Sequence, residues 1–245
     1  MVLNIKNLTK SYGDTIAVNN LNLSIERGTV FGFIGPNGAG KTTTIKCIAG
    51  LLDYEEGSIY IDENDIRDNP RNSKTKIGYV PDTPFMYDKL TGREFLYFVG
   101  RLYGIDESTL RARIDEYSAL LEFEHYMDIK TDEYSHGMKQ RIVIASAFIH
   151  DPLLVLIDEP MVGLDPKVAR TVKNIFVRHA EKGGSVFVST HTLSIAEEIC
   201  NLIGVMNKGK LIYTGGIDNL GRKLKKNNLE DLFLEITKDD RSSIN

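Results

Sequence analysis

Two kinds of apolar pattern run along the chain. Leu21, Leu23 and Ile25 stand at every second position with polar residues between them, and Ile59 and Ile61 repeat the arrangement. That spacing predicts half-buried, antiparallel strands. Val30 to Ile34, Leu153 to Ile157 and Ser185 to Ser189 are instead short apolar runs with little alternation, as expected of parallel strands covered on both faces. Helical spacing fills the intervals at Lys41 to Ala49, Arg93 to Leu102, Glu107 to Leu121, Met138 to Phe148, Pro166 to Ala180 and Leu193 to Cys200. Strands alternating with helices predict an α/β fold. From about Tyr87 to Ile149 there are helices without a convincing strand, so a helical subdomain (87–149) is expected inside a core formed by 1–86 and 150–215, followed by a C-terminal extension (216–245). Leu202 to Met206 and Lys210 to Tyr213 flank Asn207-Lys208-Gly209, a hairpin signal.

Composition changes this picture little. A chain of 245 residues can bury enough apolar surface to need neither disulfides nor metal. Cys47 and Cys200 sit in apolar, helical contexts and read as buried free thiols in a reducing compartment. No run approaches the roughly 18 apolar residues of a membrane span, and the N-terminus lacks a secretory pattern, so a soluble chain is expected. A net charge of −4 gives no reason to expect a nucleic-acid partner. The Lys223, Lys225, Lys226 cluster reads as solvated surface.

Gly35-Pro36-Asn37-Gly38-Ala39-Gly40-Lys41-Thr42, followed by Thr43, lies between a predicted buried strand and a predicted helix, the setting of a phosphate-binding loop. Glycines let backbone N–H groups converge on phosphate oxygens while the helix N-terminus adds positive potential. Lys41 supplies a cation for the β and γ phosphates, and Thr42 a hydroxyl for Mg²⁺. Leu153-Leu154-Val155-Leu156-Ile157-Asp158-Glu159-Pro160 is an apolar strand ending in two acids. At the carboxyl end of a parallel sheet Asp158 can hold Mg²⁺ and Glu159 can orient and deprotonate water. Alone, that pair is equally compatible with a solvated loop or a helix N-terminal charge; beside a phosphate loop the functional reading prevails.

From Tyr12 to about Gly215 the order of motifs resembles that of the ABC ATPases, the nucleotide-binding subunits of ABC transporters. Tyr134-Ser135-His136-Gly137-Met138-Lys139-Gln140-Arg141 is similar to the family signature, although a Ser-x-Gly at a helix start is by itself an ordinary cap. The resemblance implies a P-loop core with a mixed sheet, an antiparallel β subdomain and an inserted helical subdomain. It further implies that Ser135 and Gly137 contact the γ-phosphate held by an opposing subunit, that Tyr12 stacks on adenine, and that His191 senses the γ-phosphate. Gly163-Leu164-Asp165-Pro166 is similar to the loop joining the two active sites, its plainer reading being a turn before a helix.

Two positions depart from the family pattern. Asp82, in Gly78-Tyr79-Val80-Pro81-Asp82, stands where glutamine is usual; a carboxylate one methylene shorter favours a water-bridged metal contact over a direct one. His136 replaces the first glycine of the signature pair.

The implied protein takes ATP and Mg²⁺, pairs with a second nucleotide-binding subunit as a homodimer or heterodimer, and drives separate transmembrane permease subunits from the cytoplasmic face of the membrane as a peripheral subunit. Export is the expected direction, because Asn228 to Ile236 resembles the tail of exporter ATPases; an amphipathic terminal helix packed on its own domain is an equal reading. The alternative is a soluble ABC ATPase with a non-membrane partner. Asp82, Phe85, Met86 and Tyr87 form a Met- and aromatic-rich stretch expected to receive a helix of the membrane partner.

Overall fold

The computed structural model describes residues 1–216; Lys223, Lys225, Lys226 and the Asn228 to Ile236 segment lie outside the described residues. Strands β1 (Leu3–Tyr12), β2 (Thr15–Ile25), β4 (Glu56–Ile61) and β5 (Asn64–Asp65) form an antiparallel sheet in the order β2-β1-β4-β5. Strands β3 (Val30–Ile34), β6 (Ile77–Val80), β7 (Leu154–Asp158), β8 (Ser185–Thr190), β9 (Leu202–Asn207) and β10 (Lys210–Gly215) form a second sheet in the order β10-β9-β3-β8-β7-β6. All its neighbours are parallel except the β9/β10 hairpin.

The uniformly apolar strands still alternate; both faces are simply buried. Val30 and Ile34 of β3, Val155 and Ile157 of β7, and Val186 and Val188 of β8 join a core shared with the helices on one face. Phe31, Phe33, Leu154, Leu156 and Phe187 point the other way, into a core shared with the antiparallel sheet and α1 (Lys41–Ile48). There Phe187 lies 5.0 Å from Phe31 and 5.2 Å from Phe33, ring centroid to ring centroid. Each such buried side chain contributes about 1.5–3 kcal/mol of burial energy.

After β4 and β5 comes the short α2 (Pro70–Thr75). Between β6 and β7 run α3 (Gly92–Leu102), α4 (Glu107–Leu120), a 3₁₀ turn (Thr131–Glu133) and α5 (His136–Phe148). A capping box starts α3: Thr91 Oγ1 accepts from the Glu94 N–H at 3.1 Å, and the Glu94 carboxylate accepts from the Thr91 N–H at 2.8 Å. The C-terminal end of α5 rests on the sheet so closely that a Cβ on Gly78 of β6 would fall 2.1 Å from the Ala147 carbonyl. Two helices follow, α6 (Pro166–Glu181) and α7 (Leu193–Ile199). Cys47 and Cys200 are free and buried, their thiols pushed up to about 12 by burial.

Just past α5, His150 stacks on Tyr103 with centroids 3.6 Å apart, and its Nε2 lies 3.0 Å from the Ile77 carbonyl. Burial lowers the imidazole from 6.5 to about 4, an effect the Ile77 bond and Asp151 partly oppose and Arg113 and His179 reinforce. Because the folded value lies below the unfolded one, the neutral ring contributes stability that is complete above about pH 6.5 and lost as pH falls through about 4. Between about pH 7 and pH 4.5 the protein should therefore lose about 2 kcal/mol more stability than a His150→Phe variant, which keeps the ring stack but cannot titrate. Urea unfolding at the two pH values measures this; parallel losses in the two proteins would reject it.

Candidate functional site

The parallel strands end together. Ile34 of β3 lies opposite Thr190 of β8, Asp158 of β7 opposite Ser189, and Val80 of β6 opposite Ile157. The loops leaving these ends converge on a cleft of about 370 Å³. Its lining comes from Asn37, Gly38 and Gly40 of the glycine loop, Lys41, Thr42 and Thr43 at the start of α1, Asp82 beyond β6, Asp158 ending β7 and Glu159 just after it. Ala17 of β2 completes it.

The loop needs its glycines for two reasons. Gly40, at φ 105°, is pressed against the antiparallel sheet, where a Cβ would fall 2.2 Å from the Ala17 carbonyl. Gly38 meets nothing but has a φ of 78°, a conformation costly for other residues. Ala39 anchors the loop, its N–H donating to Pro36 O at 3.2 Å and its carbonyl accepting from the Gly209 N–H at 3.0 Å. Gly40, at the N-cap of α1, has no side chain with which to cap the helix, so the first-turn N–H groups face the cleft as donors.

Lys41 is only 6% exposed. Its ammonium donates to the carbonyls of Gly35 at 2.8 Å and Pro36 at 3.1 Å, leaving one of its three protons for another acceptor. Burial lowers its pKa, opposed by the charges of Glu159 and Asp158. Asp158 is 1% exposed, and burial raises its carboxyl, partly countered by the neighbouring Thr42 and Ser189 hydroxyls. Those contacts fall short of good hydrogen-bond geometry: among the described residues, neither Asp158 oxygen has a partner. A buried, orphaned carboxylate beside a threonine hydroxyl is a donor set suited to a hard divalent cation, so the residues fit Mg²⁺. Asp82 is exposed at the rim and accepts from its neighbour's N–H, Thr83, at 2.8 Å.

Glu159 occupies a strained backbone position, φ 50°, of a kind that costs about 1–2 kcal/mol for a residue with a Cβ. Its N–H donates to Ser189 O at 3.0 Å. Its Oε1 accepts from the His191 N–H at 3.1 Å and lies 2.7 Å from His191 Nδ1, while Oε2 accepts from the Thr190 hydroxyl at 3.4 Å. The carboxylate is thus aimed by β8 while its own strand ends.

The cleft brings together the glycine loop, Lys41, Thr42, Thr43, Asp82, Asp158 and Glu159, with His191 bonded to Glu159. Tyr12, Ser135 and Gly137 are not among its lining residues. Tyr12 is 52% exposed at the end of β1, opposite Thr15. Ser135 is exposed at the N-cap of α5, accepting from the Met138 N–H at 3.3 Å. Gly137 packs on the loop after Glu159, where a Cβ would fall 2.4 Å from Gly163 O. The same loop is held by buried Gln140, which donates to Pro160 O at 3.3 Å, and by Arg141, 2.6 Å from Asp165. Thr190 and Ala17 carried no motif that could have singled them out in the sequence, and Gln140, though inside the signature segment, gave no sign there of its bond to Pro160 O.

The interface expected at Asp82, Phe85, Met86 and Tyr87 is corrected at one position. Met86 is 3% exposed and belongs to the core, whereas Phe85 and Tyr87 are 69% and 49% exposed. They continue into α3, Tyr87 meeting both Phe85 and Phe98 edge-on at 5.6 Å.

Residues 18–162 match the ABC transporter family. Over 242 residues, 98% of each chain, the sequence is 34% identical to the ABC-type transporter ATP-binding protein EcsA of Bacillus subtilis (strain 168). It is 32% identical over 213 residues to the Nod factor export ATP-binding protein I of Burkholderia orbicola (strain AU 1054), covering 87% of this chain and 70% of that one. The fold is similar, with a TM-score of 0.80, 28% identity and coverage of 88% and 98%, to a dimeric ATP-binding cassette in a post-hydrolysis state bound to ADP and Pi.

Proposed function

The chain belongs to the ABC transporter family, and from that membership we propose that it binds ATP with Mg²⁺, hydrolyses it as one of two paired subunits, and drives export through separate membrane chains at the cytoplasmic face. The observation that carries the chemistry is the Glu159 carboxylate, bonded to His191 and set at the mouth of the cleft that holds Lys41.

In this reading the first-turn N–H groups of α1 and the Lys41 ammonium hold the phosphates. Thr42 and Asp158 would hold Mg²⁺, with Asp82 as an outer contact, and the ion when bound would supply charge neutralisation at the phosphate oxygens. Glu159 orients the attacking water and takes its proton at Oε2, the oxygen opposite the one bonded to His191. His191, exposed at the rim, reports γ-phosphate occupancy to Glu159. Ser135 and Gly137 of the second subunit close the site over the γ-phosphate, excluding water and placing fixed donors where charge spreads. Tyr12 takes the adenine.

Residues 87–149 act as a lobe that moves with the partner subunits. The exposed Tyr87 and Phe98 rings, with Phe85 just before the lobe, supply its aromatic contact with a membrane chain. A cysteine replacing Phe85 is expected to crosslink to a polytopic protein in native membranes. Consistent failure there, with crosslinks to non-membrane proteins instead, would favour a soluble ATPase acting elsewhere.

A further inference from the structure

We propose that Glu55 is a positioning residue for the nucleotide base, holding the end of β1 that carries Tyr12; this rests on the reading of Tyr12 as the adenine platform. The strand that carries Tyr12 loses a neighbour before it reaches that residue. Strand β4 pairs with β1 only as far as Thr9, opposite Glu56, across an irregular register that follows Lys6. Among the described residues, Lys10, Ser11 and Tyr12 then pair on one side alone, with Val18, Ile16 and Thr15 of β2. An unsupported strand end frays, because its outer N–H and carbonyl groups find no fixed partner.

Glu55 supplies the missing neighbour with its side chain. Its backbone N–H donates to Thr9 O at 3.1 Å, its Oε2 accepts from the Ser11 N–H at 2.8 Å, and its Oε1 accepts from Lys10 Nζ at 2.7 Å. One residue thereby ties down three consecutive positions of β1, and the last of them adjoins Tyr12. The Lys10 ammonium held by this carboxylate also sits 5.5 Å from the centroid of the Tyr12 ring, restricting the ring on that side. The carboxyl is correspondingly lowered, through Lys10 first and then the Ser11 N–H. None of these contacts reaches the glycine loop, Asp158 or Glu159. The role therefore concerns the base and leaves the phosphates untouched.

The experiment compares ATP with inorganic tripolyphosphate, which has no base, on the full chain. Glu55→Ala should raise KM for ATP roughly fivefold, within the effect of an aromatic–base stack, with kcat and tripolyphosphate binding unchanged and the thermal midpoint held. Tyr12→Ala should show the same pattern at larger size, and the double variant should be no weaker than Tyr12→Ala alone. Glu55→Gln keeps an acceptor for the Ser11 N–H and should recover most of the affinity. If Tyr12→Ala weakens ATP binding while Glu55→Ala does not, the positioning role is wrong and the platform stands. Equal loss of tripolyphosphate, or a Glu55→Ala effect that adds in full to Tyr12→Ala, also overturns it. An unchanged KM in Tyr12→Ala would remove the platform itself, and the proposal with it.

Discussion

Glu159→Gln is expected to bind ATP as the unsubstituted chain does and to release phosphate about a thousandfold more slowly, the scale on which a positioned general base contributes. Binding should survive because the substitution changes little that is structural. The backbone at φ 50° is held by the bond to Ser189 O, which does not involve the side chain. A glutamine carbonyl can still accept from the His191 N–H, now bonded at 3.1 Å, and the Thr190 hydroxyl can turn to suit the amide. The lost property is the capacity to take a proton. Removing one negative charge from beside Lys41 takes away a group that competes with the phosphates for its ammonium, while Asp158 still opposes the lowering of its pKa by burial. Calorimetry with ATP and a phosphate-release assay separate the two quantities. Turnover within a few fold of the original would reject Glu159 as the base; a parallel collapse of affinity would mean that the carboxylate is structural.

Much of the fold was legible because both faces of the central sheet are covered. Val30 to Ile34 and Ser185 to Ser189 could be read as buried parallel strands from their apolar content, and helices such as Pro166 to Glu181 declared themselves through an N-cap and proline, with Asp165 accepting from both Lys167 and Val168 N–H groups. What escaped had weaker physics at the level of sequence. In β1 the irregular register between Ile5 and Leu8, with Asn7 at φ 52°, breaks the two-residue period, so Leu3, Ile5 and Leu8 do not alternate although all three are buried. The helix α2 buries only Ser73 and so shows no apolar stripe; Asn69 before Pro70 was its one signal. Strand β6 is four residues long with a glycine inside. At the site, Asp158, Glu159 and Lys41 were marked by motifs, but the hydrogen bonds that aim Glu159 come from Thr190 and His191, more than thirty residues later in the chain, and only the folded sheet makes them neighbours.

The second large effect concerns where one active site ends and the other begins. Ser135 is exposed, and it does not line the cleft that contains Lys41 of its own chain; if Ser135 serves ATP at all, it serves ATP held by another copy. Lys41→Ala should weaken ATP binding by about tenfold or more, the scale of a lost charge-assisted hydrogen bond, whereas Ser135→Ala should impair closure over a nucleotide already bound. Two covalently linked dimers distinguish the arrangements. With Lys41→Ala in one half and Ser135→Ala in the other, a shared-site protein has both defects in one site and the second site intact. With both substitutions in the same half, each of its sites is damaged. For self-sufficient subunits the outcomes exchange: the first dimer would have two damaged sites and the second would keep one intact. Nucleotide occupancy should be scored beside phosphate release, because coupled closure can silence even an intact site. The expected result is one tightly held nucleotide in the first dimer and none in the second, where one site binds weakly and the other binds without closing. The reverse order would place Ser135 in its own subunit's site, and equal occupancy would leave it without a role in nucleotide binding, its hydroxyl then serving only to cap α5 through the Met138 N–H.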